Sequence, residues 1–354
     1  MYKNEKIQPY PTTISLRPEN QECPIYFIDS WLTPTNLFFV RNHFEYPPIN
    51  ECSFILPIKG DVKKPFVVTY RDLLKMPSKT IICPLECSGN KRKLFDEGIF
   101  GTQWGEGAIS QAEWKGVPLY NLLKMADPKS TAKNVVFEGH DQGTIEGIEG
   151  IHHFARSLSV EQALDQDIIV AYQMNGKPIP VEHGYPLRLI APKWYAMASV
   201  KWLKCIKVID HDFDGYYQAI DYYYYPNRNN DRDRVPVTYM KVNSIIQYPL
   251  DFSTLDKGTY MIRGIAWTGK GTIDKVQIST NGGKTWSDAK IRRNQNMPLG
   301  WVAWWKEWKA DKTGQYTIMA RAYDTCGRAQ PLKVEWNRLG YGYNGITNRK
   351  IKIV

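Results

Sequence analysis

The sequence predicts an α+β protein of two domains, in which a mixed α/β domain precedes an all-β sandwich. Three observations predict this class: the length, the abundance of aromatic residues, proline and glycine, and a change of composition near residue 235. The chain has 354 residues, more than the roughly 100–200 residues typical of one domain. It contains 12 Trp, 22 Tyr, 22 Pro and 26 Gly, which favour strands and turns over long helices.

The domain boundary is expected in the segment YYYYPNRNNDRDRVP at 222–236, which turns polar and charged after an aromatic run. Such a composition is typical of an exposed connection between domains. We therefore expect one domain at 1–234 and a second at 235–354.

Turn signals and alternation predict the sandwich. Asn281-Gly282-Gly283 separates KVQIST from WSDAKI, two runs that alternate apolar and polar residues, and this pattern predicts a β-hairpin. GQYTIMARAYD alternates in the same way. Short strands with closely spaced turns indicate a small antiparallel, immunoglobulin-like sandwich from about residue 237 to the end.

The first domain shows both helix and strand signals. Ser159 and Gln162 have the spacing of a capping box, which marks the start of a helix. Asn175-Gly176 lies between IIVAYQM and KPIP and predicts a second hairpin. This mixture predicts the α+β class.

The net charge of +10 suits an anionic partner. No run of five or six Lys or Arg occurs, so we expect a concentrated internal anion site and no nucleic-acid arm. No apolar stretch reaches the roughly 18–20 residues that span a bilayer. The start, MYKNEKIQPYPTT, has no apolar core and no twin arginine, so the chain as given is expected to be cytoplasmic, or exported to a compartment such as the periplasm if a signal was removed.

The six cysteines show no CxxC pair and no zinc spacing, which predicts mostly buried thiols over disulfides or a zinc site. They are Cys23, Cys52, Cys83, Cys87, Cys205 and Cys326.

Cys87 has the sequence surroundings of a functional thiol. It stands in PLECSGNKR, where small and turn-forming residues and then two cations follow it. Nearby cations lower a thiol pKa, and the thiolate is both a nucleophile and a soft metal ligand. The alternative is a structural thiol buried beside a basic turn.

Cations paired with histidines indicate where an anion binds. In FVRNH, Arg41 and His43 are two residues apart, so on a strand they would share a face and grip an anion together. His183 and Arg188 repeat the pairing, and Ser199 to Lys201 add a hydroxyl and another cation. A surface arginine and a satisfied core histidine are the alternative for each pair. Together the segments predict a site for a polyanion such as a phosphate-bearing cofactor.

Several other chemistries lack their motifs. There is no GxxxxGK[ST] and no GxGxxG between a strand and a helix, which disfavours nucleotides. No GxSxG elbow occurs, which disfavours a serine hydrolase. A cysteine hydrolase that pairs Cys87 with His43 or His183 remains a rival.

Six segments of the first domain occur in the order and approximate spacing of one enzyme family. They are FVRNH at 39–43, LECSGNKR at 85–92, WGEGAISQAEWKGVPL at 104–119, FEGHD at 137–141, ALDQDIIVAYQMNGKPIPVEHGYPLRLIAP at 163–192 and SVKWLKCIKV at 199–208. With them, the chain resembles the sulfite oxidase family of molybdopterin enzymes over most of its length. GIAWTGKGTIDKVQISTNGGKTW and WKADKTGQYTIMARAYDTCGRAQP resemble that family's immunoglobulin-like dimerisation domain.

The resemblance implies a molybdenum-molybdopterin cofactor with Cys87 as the thiolate ligand of the metal, beside the pterin dithiolene and two oxygen ligands. It also implies which residues hold the pterin and its phosphate. These are Phe39, Val40, Arg41, Asn42, His43, Asp141, His183, Arg188, Ser199, Val200 and Lys201. For Asp141 and Lys201, a turn cap and a solvated strand cation are the alternatives.

For the substrate, the resemblance implies Arg41, Arg92, Trp104 and Tyr222, with Lys270 as the basic residue from the second domain. Sulfite is largely a dianion near neutral pH, so a pocket of cations concentrates and orients it. For Tyr222 the alternative is aromatic packing within the four-tyrosine run.

The implied reaction is oxidation of sulfite to sulfate by oxygen-atom transfer. Electrons would pass to a separate acceptor such as a cytochrome c, because the chain carries no haem or flavin domain like those of animal sulfite oxidases and nitrate reductases. A homodimer is expected from the second domain.

The chain departs from the family pattern at a few positions. Lys91 and Lys270 stand where arginine is frequent, and lysine lacks the bidentate fork. The segment at 154–159 lacks an expected proline and follows His152-His153. These departures leave two alternatives: a reductase of nitrate or sulfoxides with the same fold and cofactor, and a binding protein without catalysis or metal.

Overall fold

The computed structural model describes residues 9–50 and 53–354. The described residues of the first part of the chain, up to the predicted boundary, form thirteen strands, of which the last is a two-residue strand in the tyrosine run. They are β1 (Thr12–Leu16), β2 (Glu19–Glu22), β3 (Ile55–Gly60), β4 (Phe66–Thr69), β5 (Lys79–Glu86), β6 (Ile109–Pro118), β7 (Asn134–Ile145), β8 (Ile148–Ser159), β9 (Ile169–Met174), β10 (Lys177–Pro178), β11 (Arg188–Ile190), β12 (Leu203–Ile209) and β13 (Tyr223–Tyr224).

The α-helices are few and short. They are α1 (Tyr70–Lys75), α2 (Leu119–Ala126) and α3 (Val160–Ala163). In the described ranges the longest, α2, has eight residues, and no helix there is long and apolar enough to cross a membrane. Helix α2 buries Leu119, Leu122, Leu123 and Ala126, the spacing of one apolar helix face.

Two five-stranded sheets form the first part. One has the order β10-β9-β6-β5 with β11 also paired to β9, and the other has the order β4-β3-β12-β7-β8. Strand β6 is buried at seven of its ten positions, because elements cover both of its faces, as for strands inside a layered fold. Strands β1 and β2 form a separate ladder.

The remaining strands begin at the predicted boundary. They are β14 (Val235–Pro236), β15 (Asn243–Tyr248), β16 (Thr254–Leu255), β17 (Gly258–Trp267), β18 (Ile273–Ser279), β19 (Ser287–Asp288), β20 (Lys290–Arg292), β21 (Val302–Ala310), β22 (Gly314–Asp324) and β23 (Asn348–Ile353).

All of these strands except β14, which pairs with β13, form the predicted sandwich. Its two sheets have the orders β15-β17-β21-β20 and β16-β23-β22-β18-β19, and between them lies a core that includes Ile262, Trp304, Ile318 and Ile351. The mixed first part and the all-β second part confirm the predicted fold class.

The predicted turns are confirmed. Strands β18 and β19 pair antiparallel across the Asn-Gly-Gly turn, and Asn175 and Gly176 adopt positive φ values of 50° and 76° between β9 and β10. The side chain of Ser159 accepts a hydrogen bond from the Gln162 backbone, and the Gln162 side chain accepts one from the Ser159 backbone. Such short-range signals depend little on the rest of the fold.

The predicted exposed connection at 222–236 is exposed only in its polar part. Tyr222 and Tyr225 are buried, while most residues from Pro226 to Pro236 are exposed. The Arg338 guanidinium lies 4.2 Å from the centroid of the Tyr225 ring, so a later segment covers this tyrosine.

The cysteine prediction holds for four of the five described cysteines, which are buried free thiols, whereas Cys326 is exposed. Cys52 and residues 1–8 lie outside the described residues.

The sandwich and the first part share a polar, buried interface. Trp267 Nε1 donates to Glu86 Oε2 at 2.8 Å. Lys91 Nζ donates to Asn243 Oδ1 at 2.7 Å and to the carbonyl of Ser244 at 2.9 Å. Glu86 and Lys91 flank the Cys87 turn, so the sandwich supports this turn from behind.

Candidate functional site

The main candidate site is a cavity with an empty volume of about 640 Å³ in the first part of the chain, within the range of small-molecule pockets. It brings together eleven of the sixteen predicted site residues. They are Phe39, Arg41, Asn42, His43, Cys87, Asp141, His183, Arg188, Ser199, Lys201 and Tyr222.

Cys87 lies directly after β5 and faces the cavity with 6% of its surface exposed. Its backbone N–H donates to Ala108 at 2.9 Å, and its carbonyl accepts from Asn90 at 2.9 Å. Burial raises the pKa of the thiol, although Arg41, the Gly89 N–H and Arg92 act in the opposite direction. The prediction that the Cys87 thiol has a low pKa is therefore wrong for the protein without a bound metal, because the effect of burial on this pKa is larger than that of the nearby cations. A bound metal would hold the thiolate.

The FVRNH segment is not a strand. Val40 forms only an isolated bridge with Gln21, and the backbone is irregular from Arg41 onward. The shared face that a strand would give Arg41 and His43 therefore does not apply, because contacts with β2 shape this segment. Both side chains nevertheless line the cavity.

Asn42 connects three segments at the cavity wall. Its backbone N–H donates to Asn20 Oδ1 at 2.9 Å, and its amide donates to the carbonyl of Glu19 at 2.9 Å. The Lys201 ammonium donates to Asn42 Oδ1 and, at 2.9 Å, to the carbonyl of Glu182.

His43 and Tyr222 form the polar end of the cavity. Tyr222 Oη lies 2.8 Å from His43 Nε2. Burial, with Arg41, Lys201 and Arg156, lowers the pKa of His43 well below its usual value, and burial raises the pKa of Tyr222 well above its own. Both groups are therefore uncharged at neutral pH.

His183, Arg188 and Ser199 hold one another in place. His183 Nε2 donates to the carbonyl of Thr35 at 3.1 Å. Arg188 donates to the carbonyls of His183 at 2.8 Å and Ser199 at 3.0 Å. Burial lowers the pKa of His183 to about 3 and that of Arg188 to about 9, so His183 is neutral and Arg188 is the cation.

Three residues that line the cavity carry buried polar atoms without a hydrogen-bond partner: Ser88 Oγ, Asp141 Oδ1 and Arg188 Nε. Buried polar atoms rarely stay unpaired, because each costs free energy. One acceptor, one donor and one hydroxyl without partners, all on residues that line one cavity, indicate a polar ligand.

Five predicted residues do not line the cavity. Val40 and Val200 are buried behind it, and their backbone groups bond to Gln21 and Leu189. If Gly89 carried a Cβ atom, the Arg92 and Trp104 side chains would lie 3.0–3.1 Å from it. Both side chains therefore pack against the Cys87 turn.

Lys270 is the predicted residue that lies away from the site. Its side chain is exposed, with the ammonium 5.4 Å from the Tyr239 ring, because the turn that carries it lies on the sandwich surface. The expectation that Lys270 contributes to the pocket is not met. Lys91 also faces away from the cavity, toward Asn243.

Sequence reasoning missed several residues around the site. Phe38, Ser88, Phe154 and Glu182 line the cavity beside predicted residues, so proximity to the motifs was an available signal. Behind Tyr222 stand three more: Arg156, Asp221 and Tyr341. For Tyr341 no such signal exists, because it lies more than a hundred residues from Tyr222 in the sequence.

Comparisons with known proteins identify the family. The model of the oxidoreductase molybdopterin binding domain matches residues 43–217, and the model of the Mo-co oxidoreductase dimerisation domain matches residues 234–353. The mitochondrial sulfite oxidase of Drosophila melanogaster is 32% identical, over 96% of this chain and 63% of its own length. The chain belongs to the sulfite oxidase family.

Other members of the sulfite oxidase family differ in length and name. The NADH nitrate reductase of Ulva prolifera is 32% identical over 93% of this chain and 41% of its own. The sulfane dehydrogenase SoxCD of Paracoccus pantotrophus matches with a TM-score of 0.83 and 27% identity, over 99% of this chain and 87% of that chain. The chain thus spans less than two thirds of the two curated relatives.

Members of the sulfite oxidase family use a molybdenum-molybdopterin cofactor, and the cavity of this oxidoreductase fits it. The unpaired Asp141 Oδ1 can accept from a ring amine of a pterin, and Arg188 Nε and Ser88 Oγ can bond to its acceptors. Cys87 is the only cysteine among the cavity-lining residues. In the described part of the chain, no cluster of three or more His, Cys, Asp or Glu offers another metal site.

Proposed function

We propose that this protein oxidises sulfite to sulfate at a molybdenum-molybdopterin cofactor bound in the cavity, with Cys87 as the protein ligand of the metal. The observation that carries the proposal is one buried thiol in a polar cavity, under the electrostatic influence of Arg41 and Arg92. Electrons would pass to a separate acceptor such as a cytochrome c.

The proposed contacts of the cofactor follow from the free groups of the cavity. Arg188 and Lys201 supply positive charge for the phosphate, and Asp141 accepts from the pterin. Asn42, His183 and Ser199 keep these side chains in place through the hydrogen bonds described above. Phe39 forms part of the cavity wall around the cofactor, and Val40 and Val200 support this wall from behind. When bound, the cofactor supplies the oxygen-atom transfer chemistry.

The residues of the protein would bind and orient the anion. Arg41, which lines the cavity, can attract a dianion and fix its oxygens, and the charge of Arg92 behind the Cys87 turn adds to this attraction, which raises the local concentration of the anion next to Cys87. Trp104, fully buried beside Arg92 and Gly89, would keep that guanidinium in position. The Tyr222 hydroxyl, which stays protonated, can donate its one hydrogen bond to a substrate oxygen, and its oxygen can then accept from His43 Nε2.

Two other substrates are represented among the relatives by name, nitrate and sulfane. Sulfite is favoured here because the charges of two guanidinium groups, Arg41 in the cavity wall and Arg92 behind the Cys87 turn, match a dianion better than the monoanion nitrate. Turnover assays with nitrate and with a sulfane compound as alternative substrates therefore test the choice of sulfite.

The decisive experiment combines metal analysis with turnover. We expect about one molybdenum and one pterin per chain, and sulfite-dependent reduction of an artificial one-electron acceptor. Cys87→Ser should reduce turnover more than about 100-fold, because the metal loses its protein ligand, while Cys326→Ser, which alters an exposed thiol, should leave it unchanged. Protein without molybdenum or pterin, or loaded protein that reduces nitrate but does not oxidise sulfite, would contradict the proposal.

We also propose a homodimer, because residues 234–353 match a dimerisation-domain model. Sedimentation equilibrium should give twice the chain mass of 40.9 kDa. A monomer at micromolar concentration would contradict this assignment.

A further inference from the structure

We infer that Tyr341, from the segment after β22, is a positioning residue of the substrate pocket that holds the Asp221 carboxylate away from the arginines that bind the anion. The inference rests on the proposed function, because it presumes an oxyanion in the cavity that is attracted by the charges of Arg41 and Arg92. It assigns a role in substrate binding to a residue outside the predicted set.

Tyr341 is anchored beside the Cys87 turn. Its backbone N–H donates to Asn337 Oδ1 at 3.0 Å, and its carbonyl accepts from Asn337 Nδ2 at 2.9 Å. The next residue, Gly342, donates its N–H to the carbonyl of Ser88 at 2.7 Å. The segment is therefore tied directly to the residue that follows Cys87.

The Tyr341 side chain contacts two groups of the proposed substrate pocket. Its ring stacks on Tyr222, with the ring centroids 5.2 Å apart and the planes at 21°. The Arg92 guanidinium carbon lies 5.2 Å from the centroid of the Tyr341 ring. With 7% of its surface exposed, Tyr341 has little freedom to leave this position.

The Tyr341 hydroxyl donates to Asp221 Oδ1 at 2.7 Å. Burial raises the pKa of Asp221, whereas this hydrogen bond and the charges of Arg41, Arg92 and Arg156 act to lower it. Three guanidinium groups thus influence one carboxylate. Yet no ion pair within 4.0 Å in the described ranges includes Asp221.

The arginines are instead restrained by neutral groups. Arg92 donates to the carbonyls of Leu339 at 3.0 Å and Thr102 at 2.7 Å. Arg156 donates to the carbonyl of Tyr217 and lies 5.3 Å from the Tyr222 ring. Arg41 donates to the carbonyl of Asn42. Carbonyls leave the positive charges uncompensated, so the cations remain available to an anion.

A carboxylate without a fixed partner pairs readily with a guanidinium, often through two hydrogen bonds. If the Tyr341 hydroxyl were absent, Asp221 would be free to turn toward Arg92 or Arg41 and neutralise it. The anion would then compete with an internal carboxylate. The expected result is weaker oxyanion binding, with a smaller change in the rate of the bound substrate.

The test measures the binding of sulfate by calorimetry and the KM and kcat for sulfite, in Tyr341→Phe, Asp221→Asn and the double variant. Tyr341→Phe keeps the stacked ring and removes the hydroxyl. It should weaken sulfate binding about five- to tenfold, near the effect of one hydrogen bond, and raise KM by a similar factor with kcat changed less than about twofold. The double variant should return to within about twofold of the wild type, because no carboxylate remains to compete.

Tyr343→Phe is the matched control, since it makes the same change in the same segment, where the Tyr343 ring packs on Phe95 at 5.0 Å. It should leave both measurements unchanged. Unaltered sulfate binding in Tyr341→Phe, or a double variant as weak as that single variant, would overturn the inference. If Tyr341→Phe does not fold, sulfate binding by Asp221→Asn tests the inference. Sulfate binding as tight as in the wild type or tighter supports the inference, and weaker sulfate binding overturns it.

Failure of the proposed function gives a different result. Protein that lacks molybdenum or does not oxidise sulfite contradicts the proposed reaction, while the sulfate measurements still report on Tyr341. Protein that oxidises sulfite but shows no effect in Tyr341→Phe contradicts only the role of Tyr341. A wild type that binds no sulfate overturns the role as well.

Discussion

Tyr222 and His43 illustrate how burial sets the state of single side chains at the site. Their 2.8 Å contact joins a hydroxyl whose pKa is raised and an imidazole whose pKa is lowered. Neither group adds charge to the pocket, so its electrostatic attraction for an anion comes from cations such as Arg41, Arg188 and Lys201.

Tyr222→Phe should lower kcat for sulfite about tenfold or more, because it removes a hydroxyl positioned for proton transfer. Tyr223→Phe is the control, since Tyr223 is partly exposed and lies under Arg234 at 4.6 Å. Steady-state kinetics measure both variants. A kcat for Tyr222→Phe equal to that of Tyr223→Phe would show that the hydroxyl takes no part in the reaction.

The lowered pKa of His183 predicts that the folded protein loses stability at acid pH. Its pKa is about 3 in the folded protein and about 6.5 when unfolded, so the unfolded chain binds the extra proton first. The contribution of His183 is fully present above pH 6.5 and declines as the pH falls, by about 2 kcal/mol at pH 5. Urea unfolding of wild type and His183→Gln at pH 7.5 and pH 5 measures it. The variant should lose less stability on acidification, and equal losses would contradict this account.

At the residue scale, the sequence indicated the chemistry where local motifs carry it. Cys87 with its neighbouring cations, and the His and Arg pairs, were found because residue types within a few positions suggest a function. Arg156 and Tyr341 were not, because only the folded chain brings them to Tyr222. Asp221, which precedes Tyr222 in the sequence, was not found because no motif marks it. Lys270 was wrongly placed at the pocket, since its position relative to the cavity depends on how the sandwich packs.

Among the elements, those with local signals were predicted well. The Asn175-Gly176 turn and the Ser159 cap depend on the conformational preferences of two to four residues, and both are confirmed. The conformation of the segment at 39–43 was not predicted, and the shared face that a strand would give Arg41 and His43 does not apply, because the segment is not a strand. Its conformation is set by Asn20 and Glu19, which lie about twenty residues away.

Strand β17 requires glycine at one position. A Cβ at Gly264 would lie 1.9 Å from the carbonyl oxygen of Ile245 and 2.4 Å from the Trp304 ring, so the neighbouring strand would have to shift. Gly264→Ala should therefore destabilise the protein by about 3 kcal/mol or more.

Gly258→Ala, in the same strand, provides the control, because its nearest contact would be 3.7 Å away. Thermal unfolding compares the two variants. We expect a clear fall in Tm for Gly264→Ala and little change for Gly258→Ala, and equal Tm values would refute the steric argument.

On the scale of the whole molecule, a buried ionic cluster joins the two parts of the chain. Arg349 of β23 pairs with Glu106, which also accepts from Tyr26 Oη at 2.5 Å and lies 3.8 Å from Lys91. Burial opposes ionisation of Glu106, but Arg349 and Lys91 outweigh it and keep the pKa of this carboxyl low.

Arg349→Met should cost about 3–5 kcal/mol of unfolding free energy, because it leaves Glu106 charged and poorly paired in the interior. Adding Glu106→Gln should recover part of that loss, since the unpaired charge disappears. Lys350→Met, at the exposed next position, should have little effect. Denaturant titrations of the three variants measure this, and a double variant less stable than Arg349→Met would disprove the charge argument.

The hydrogen bond from Gly342 to Ser88 also bears on how such enzymes can be recombined. A chimera that exchanges only the amino-terminal module between homologues would pair one parent's thiolate turn with the other parent's carboxy-terminal loop. Swaps intended to transplant selectivity should therefore carry residues 331–347 along with the donor module.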